Sequence, residues 1–236
     1  MTAVIIEVCV DTAEGLAAAL EGGADRIELC SALGVGGLTP SAGFMRVAAR
    51  SRVPVHAMIR PRAGDFCFSE AELEVMAADI AVARDCGMSG VVIGASLADR
   101  RLDVAALGRL VGEAAGLSLT LHRVFDLVPD MGEALETAIA LGFQRVLTSG
   151  GADTAVAGMD RLIALKGQAA GRIVILPGAG ISAATAAGLR ALVPEEVHGS
   201  CSVIRAARAA GLGFGLGMER VTDAEEVRAL RAALQP

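Results

Sequence analysis

Tryptophan and tyrosine are absent from this 236-residue sequence, and its large aromatic side chains are six phenylalanines. The chain therefore offers few ring faces on which a nucleobase or a sugar could stack. Lysine occurs once, at Lys166 near the end of a predicted helix, so we set aside a Schiff-base mechanism. The formal net charge is −6 and no basic run stands out, so we expect no nucleic-acid partner.

The hydrophobicity pattern of the sequence also shows no membrane-spanning segment and no secretory signal. No apolar run is long enough to cross a bilayer, and residues 4–10 have the composition of a strand carrying Glu7 rather than of a signal peptide. The cysteines are odd in number and form no CxxC pair, which is typical of reduced thiols in a cytoplasmic protein. We therefore expect no membrane partner. The five cysteines are Cys9, Cys30, Cys67, Cys86 and Cys201.

Eight short apolar segments alternate with amphipathic helical stretches, and nearly every segment ends on a polar residue or on glycine. This alternation predicts parallel βαβ units, and the length is close to the roughly 250 residues typical of a TIM barrel. We therefore predict the α/β class, a single (β/α)8 TIM-barrel domain over residues 1–236. A doubly wound sheet is the alternative, but GxGxxG is absent after the first strand. The predicted strands are residues 4–10, 26–30, 55–60, 90–94, 117–123, 145–151, 172–180 and 196–200.

The segments between the strands have helical signals. A polar N-cap residue precedes several of them, and a glycine follows the first, third and fifth, at Gly22-Gly23, Gly87 and Gly142. After a first helix through Leu16 and Leu20, the predicted helices are residues 40–49, 69–84, 103–115, 131–141, 155–165, 182–192 and 223–234. The last of them follows a glycine-rich segment, residues 211–217.

Two thiols lie on the first two predicted strands. Glu7 and Cys9 are two residues apart, as are Glu28 and Cys30, so each pair shares one face of its strand. Neighbouring strands would place the two pairs side by side, and two thiolates suit a soft, low-coordinate ion such as Cu(I). The alternative is that both cysteines are small buried hydrophobic residues.

Charged residues on these strands are unusual, because barrel interiors are normally filled by branched apolar side chains. These residues would either form a structural ion-pair network or act as an acid/base and anion-binding set. They are Glu7, Glu28, His56, Arg60 and His122. The second interpretation is favoured because the residues cluster at one end of the strands. Asp126 would orient His122, and Arg60 would bind a carboxylate or phosphate.

Glycines end the seventh and eighth predicted strands. In TIM barrels the loops at this position bind phosphate through backbone N–H groups. We therefore predict that a small anionic metabolite is held at Gly178, Gly180, Gly199 and Ser200.

Several strings of the sequence resemble the CutC copper homeostasis family, and the resemblance covers essentially the whole chain. The most specific are GGADRIELCS from Gly22, MIRPR from Met58, and LTSGG from Leu147. The resemblance implies a cytoplasmic TIM barrel, often a homo-oligomer, that is linked to copper, with Cu(I)-binding cysteines matching Cys9 and Cys30.

Two functions stay open at this point. The first is a Cu(I)-binding protein of copper homeostasis that uses Cys9 and Cys30 as ligands. The second is an enzyme acting on a small phosphorylated or carboxylated metabolite. Gly180 and Ser200 would hold the anion, and the catalytic residues would be Glu7, Glu28, Arg60, His122 and Asp126.

Overall fold

Eight parallel strands form the inner wall of the molecule. The computed structural model describes residues 4–206 and 218–235. Hydrogen bonding joins the strands in the order β7-β6-β5-β4-β3-β2-β1-β8, and β8 also lies beside β7, so the sheet is a nearly closed barrel. The predicted TIM-barrel fold is confirmed. The strands are β1 (Ile5–Val10), β2 (Arg26–Leu29), β3 (Val55–Met58), β4 (Gly90–Ile93), β5 (Ser118–Leu121), β6 (Arg145–Thr148), β7 (Val174–Pro177) and β8 (Glu196–Gly199).

Helices surround this wall, and most of them begin at a capping side chain. Ser69 forms the predicted capping box with Glu72, and Thr12 and Asp130 cap two other helices. None of the helices in the described ranges has both the length and the apolar character needed to cross a membrane. The helices are α1 (Ala13–Gly22), α2 (Ala42–Ala48), α3 (Glu70–Asp85), α4 (Val104–Glu113), α5 (Met131–Ala140), α6 (Met159–Ala169) and α7 (Ala224–Leu234).

Two predicted helices differ from the structure. Only a 3-10 helix, Ala186–Leu192, connects β7 to β8. It contains Gly188, a poor α-helix former, which packs so closely on Val156 that an added Cβ would lie 3.1 Å from its methyl groups. Helix α6 begins four residues later than predicted, because Gly158 crosses the backbone of Ser149 at a distance that admits no side chain.

An antiparallel hairpin follows the barrel, and the sequence patterns did not predict it. Its strands are β9 (Ser202–Ala206) and β10 (Met218–Thr222). The glycine-rich segment at residues 211–217 lies outside the described residues. Beyond the hairpin, α7 packs against α1 and takes the place of the eighth barrel helix.

Alternation along the strands separates the apolar core from the barrel interior. Val8 and Val10 belong to the large core between strands and helices, while Glu7 and Cys9 on the same strand face inward. The register of parallel pairing is staggered, as barrel closure requires, so that Cys9 pairs with Glu28 and Glu7 pairs with His198. This stagger decides which inward side chains meet.

Candidate functional site

A cavity of about 680 Å³ opens at the carboxyl ends of the barrel strands. Active sites of parallel α/β barrels lie on this face. Most of the predicted site residues line the cavity, whereas Glu7, Cys30, Asp126 and Gly178 lie outside its lining. The predicted residues that line it are Cys9, Glu28, Arg60, His122, Gly180, Gly199 and Ser200.

Three side chains with metal-binding atoms meet at one side of the cavity. The Sγ atom of Cys9, a carboxylate oxygen of Glu28 and a ring nitrogen of His198 all lie within 4.8 Å of one another, and all three residues are buried. They come from β1, β2 and β8, three consecutive strands of the sheet. Within residues 4–206 and 218–235, this is the one group of three or more such side chains.

His198 is held in a defined orientation by Glu7. The Nδ1 atom of His198 lies 2.8 Å from Oε1 of Glu7, and its Nε2 atom lies 3.8 Å from Oε2 of Glu28. A carboxylate on one ring nitrogen that leaves the other nitrogen for a metal is the usual arrangement around metal-binding histidines. Glu7 is therefore placed to position His198 rather than to contact a ligand.

An ion-pair network lies below this group, inside the barrel. Arg26 bonds to both Glu7 and Glu196, and Arg145 donates from Nε to Oε2 of Glu196 at 2.9 Å. Burial alone would raise the pKa of Glu7, but the Arg26 guanidinium and His198 hold it well below its usual range. Glu7 therefore stays ionised, and the predicted ion-pair interpretation describes this layer of the barrel.

Electrostatics around His198 favour a positive charge. Burial alone would lower the pKa of His198, but Glu28, Cys9 and Glu7 raise it well above its ordinary value. Burial raises the pKa of Glu28, and its Oε1 atom is buried without a hydrogen-bond partner in the described chain. A metal ion bound at this position would therefore displace the proton of His198 and would give the unpartnered Glu28 oxygen a partner.

Cys30 takes a different position from the one that side-by-side pairing predicts. Because Cys9 pairs with Glu28, Cys30 lies two residues further along the chain, where its thiol donates to Oε2 of Glu28 at 3.6 Å. Burial, then the Glu28 carboxylate, raises the pKa of this thiol well above its usual value. An added Cβ at Gly37 would lie 3.1 Å from its Sγ atom, so the loop covers Cys30 closely. Its role as a Cu(I) ligand stays a prediction.

Arg60 lines the same cavity and organises two loops. Its Nη1 atom donates to the carbonyls of Val35 (2.9 Å) and Gly37 (3.2 Å), and Nη2 donates to the carbonyl of Gly64 (2.9 Å). The guanidinium carbon lies 4.8 Å from the ring centroid of Phe66. Arg60 thereby fixes the loops that follow β2 and β3.

His122 is enclosed by β4 and by Phe66. An added Cβ at Gly94 would lie 2.3 Å from Cε1 of His122, so the absent side chain makes the room for this ring. Its Nδ1 atom accepts the backbone N–H of Val124 at 3.1 Å. Burial, assisted by the charge of Arg60, lowers the pKa of His122 to about 3.

We predict that His122 stays neutral from pH 8 to pH 5. The chain has three histidines, so the Cε1–H region of an NMR spectrum resolves each ring, and the His122 signal, assigned with a His122→Gln variant, should not shift. The unfolded chain takes up this proton near pH 6.5, whereas the folded protein does so near pH 3. His122 therefore makes the free energy of unfolding fall as the pH is lowered through that interval. A titration with a midpoint above pH 6 would contradict the prediction.

Asp126 contacts the loop after β6 instead of His122. Its carboxylate accepts hydrogen bonds from Oγ1 of Thr148 (2.5 Å), from the backbone N–H groups of Ser149 (3.1 Å) and Gly151 (3.0 Å), and from Nε of Arg123 (2.7 Å). The sequence-based expectation that Asp126 orients His122 does not describe this geometry. Asp126 fixes a loop beside the cavity.

Asp126→Ala should loosen that loop selectively. Removal of the acceptor leaves the N–H groups of Ser149 and Gly151 without a partner, so their exchange with deuterium should accelerate about fivefold or more, since one hydrogen bond contributes about 1 kcal/mol net. Asp99→Ala, at an exposed carboxylate in another loop, is the control and should leave these two amides unchanged. Equal exchange in the wild type and Asp126→Ala would contradict the role assigned to Asp126.

The loops after β7 and β8 contribute the predicted glycines in different ways. Gly180, Gly199 and Ser200 line the cavity, whereas Gly178 makes room for Leu147, whose Cδ1 atom would lie 2.5 Å from an added Cβ. Both loops contain a non-glycine residue with positive φ, Ala179 at 74° and Cys201 at 42°. Such strained backbone is concentrated at functional sites in proteins.

His198 is not among the site residues predicted from the sequence, although the sequence contains a signal that points to it. Glu196, His198 and Ser200 alternate along β8 and the residue after it, so they share the inward face in the same way as Glu7 and Cys9 on β1. Cys201 also lines the cavity, and burial raises the pKa of its thiol to about 12.

These features define the protein as a parallel α/β barrel with a polar site at the carboxyl ends of its strands. Residues 4–203 match the model of the CutC family, and the chain belongs to this family.

Relatives support the assignment over nearly the whole chain. A family protein CutC from Rhizobium meliloti (strain 1021) is 57% identical over 241 residues, covering 99% of this chain and 97% of the relative. The corresponding protein of Agrobacterium fabrum is 52% identical and covers 98% of this chain and 94% of the relative.

Solved structures agree with the fold. CutC from Streptococcus agalactiae, provisionally assigned to copper homeostasis, gives a TM-score of 0.80 at 30% identity and covers 84% of this chain and 98% of that one. Thiamine phosphate pyrophosphorylase from Pyrococcus furiosus gives a TM-score of 0.60 at 16% identity, covering 98% and 95% of the two chains, and shows the barrel fold alone.

Proposed function

We propose that this protein binds Cu(I) at the cavity and takes part in copper handling in the cytoplasm. The observation that carries the proposal is the meeting of Cys9, Glu28 and His198 within 4.8 Å. Thiolate and imidazole donors suit Cu(I), and the copper homeostasis role provisionally assigned to the Streptococcus agalactiae protein supports this choice of ion.

In this proposal, Cys9 Sγ and His198 Nε2 are the ligands to Cu(I), and Glu28 supplies negative charge beside them. The Glu7 carboxylate on Nδ1 would keep Nε2 directed at the ion. Cys30 is the second ligand that the sequence predicts. Its bond to Glu28 and its position outside the cavity lining favour His198 over Cys30 in the metal-free protein. The same three donors also match Zn²⁺ chemistry, so the test must compare both ions.

Cu(I) affinity, measured by anaerobic competition with a chromophoric chelator, tests the proposal. Tight one-to-one binding is expected for the wild type and should be lost in Cys9→Ser and in His198→Gln. Cys86→Ser is the matched control, because Cys86 is a buried thiol whose Sγ atom contacts the carbonyl of Ala42, outside the cavity.

The variants separate the two ligand sets. Loss in Cys9→Ser and Cys30→Ser with full binding in His198→Gln would assign the ion to the cysteine pair. Binding unchanged in Cys9→Ser would overturn the copper site. If a parallel competition shows that the protein binds Zn²⁺ more tightly than Cu(I), zinc would be assigned as the ion instead of copper.

A second candidate function is an enzyme that acts on a small phosphorylated or carboxylated metabolite. It is favoured by the cavity volume of about 680 Å³, which lies in the range of roughly 300–1,000 Å³ common for small-molecule sites and exceeds the needs of one ion. Glu28 and His122 would act on the substrate, and the loops at Gly180, Gly199 and Ser200 would hold its anionic group.

This candidate is tested by incubating the protein with a metabolite extract and following composition by mass spectrometry. A metabolite consumed by the wild type and left intact by Glu28→Gln would support the enzyme. Identical composition with and without the wild-type protein would contradict it.

A further inference from the structure

We infer that the cavity contains a distinct site for one oxyanion group, the carboxylate or phosphate of a small organic ligand, between Arg60 and His122. This inference deepens the second candidate function and rests on it, because it requires the cavity to hold an organic anion. It places that anion on the β3–β5 side of the barrel, away from the glycine loops after β7 and β8.

Arg60 is a buried cation that has no counter-ion among the described residues. It is 5% exposed, and no carboxylate of the described residues lies within ion-pair distance of it. Arg26, which is 4% exposed, bridges two carboxylates instead. The hydrogen bonds of Arg60 go to three backbone carbonyls, and its Nε atom is buried without an acceptor in the described chain. A buried, uncompensated charge of this kind is costly unless an anion reaches it.

His122 contributes a second N–H group that has no acceptor in the part of the chain that the structure describes. Its Nδ1 atom accepts from the N–H of Val124, so in the neutral ring the hydrogen is on Nε2. Nε2 is buried and has no hydrogen-bond partner among the described residues. His122 is 3% exposed, yet it lines the cavity together with Arg60. Two buried donors on residues that line one cavity therefore lack the acceptor that buried donors normally have.

Phe66 brings these donors together. Its ring centroid lies 4.8 Å from the guanidinium carbon of Arg60 and 4.8 Å from the centroid of the His122 ring. Gly94 leaves the space that His122 occupies. The site is thus constructed from fixed neighbours rather than from mobile surface cations.

The remainder of the cavity determines how such a ligand would lie. The metal-ligand group of Cys9, Glu28 and His198 comes from β1, β2 and β8, whereas Arg60 and His122 follow β3 and β5. An oxyanion at Arg60 and His122 would leave the rest of a small ligand facing the metal-ligand group. The ligand class is therefore a compact metabolite with an anionic group at one end and a polar, metal-binding or protonatable group at the other.

NMR titration of the metal-free protein with inorganic phosphate and, separately, with pyruvate tests this inference at constant ionic strength. Saturable shifts are expected at the His122 ring and at the Arg60 Nε–H signal. Arg60→Lys keeps the charge but removes Nε, and His122→Gln removes the ring, so each should weaken binding at least about tenfold. Arg62→Met is the matched control. It removes a neighbouring arginine that is already paired with Asp65 and Glu72, and it should leave the affinity unchanged.

The two probes distinguish the ligand source, since tighter phosphate binding assigns a phosphate ester and tighter pyruvate binding assigns a carboxylate. One result would place the anion at the loops after β7 and β8: saturable binding that is weakened by Ser200→Ala but not by the Arg60 and His122 variants. It would overturn the inference and leave the enzyme candidate standing. Absence of saturable binding of both probes would also overturn it, while turnover of extract metabolites remains a separate measurement. If Arg62→Met weakens probe binding as much as the Arg60 and His122 variants do, the binding depends only on overall positive charge. That result would also overturn the inference.

Discussion

Arg26→Met is expected to lower the free energy of unfolding by about 3–5 kcal/mol, the cost typical of breaking a buried ion pair from one side. Arg26 is 4% exposed and compensates two carboxylates, Glu7 and Glu196, inside the barrel. Methionine keeps most of the side-chain volume, so the loss arises from charge rather than from a cavity. Glu196 retains Arg145, but Glu7 keeps only histidine partners.

Urea unfolding of the wild type and the variant measures this effect. Arg172→Met is the control, because Arg172 pairs with Glu136 at the surface, where both side chains are about half exposed and water replaces the lost partner. Its stability should stay close to that of the wild type. Similar values for Arg26→Met and Arg172→Met would show that the internal network does not stabilise the barrel.

Gly94→Ala should cost about 1–3 kcal/mol through overpacking and should also displace His122. The added methyl carbon would lie 2.3 Å from Cε1 of His122 and 2.7 Å from Cγ1 of Val124, both buried. His122 cannot rotate away without losing its bond to the Val124 N–H. The ring must therefore move toward the cavity, or the strand must shift.

Gly112→Ala provides a control for which the expected change in the free energy of unfolding has the opposite sign. Gly112 lies in α4 with no atom near an added Cβ, so alanine should stabilise the helix by about 0.5–1 kcal/mol. Urea unfolding gives both values, and the His122 ring signal reports the displacement. A Gly94→Ala protein as stable as the wild type, with an unshifted His122 signal, would contradict the contact.

Local patterns in the sequence were sufficient to predict the fold and to identify most of the inward-facing residues. A period of two along β1 and β2 assigned Glu7, Cys9, Glu28 and Cys30 to one side of the sheet, because side-chain direction depends only on the backbone of the strand itself. Glycine after a helix and a capping residue before the next helix marked the βα units, because helix ends also depend on the local backbone. His122 and Arg60 were found because charged residues at strand ends stand out against an apolar background.

Tertiary structure alone decided which of these residues meet. The stagger of the strands places Cys9 beside Glu28, and barrel closure brings His198 to Glu7 across 191 residues of sequence. Asp126 bonds to the loop after β6 rather than to His122 because that loop folds back over it. The β9–β10 hairpin and the 3-10 connection before β8 likewise depend on packing between distant segments. The sequence by itself determined the barrel and the face that carries polar residues, since both follow from local periodicity. The partners of each polar side chain depend on register and closure, which no local pattern encodes.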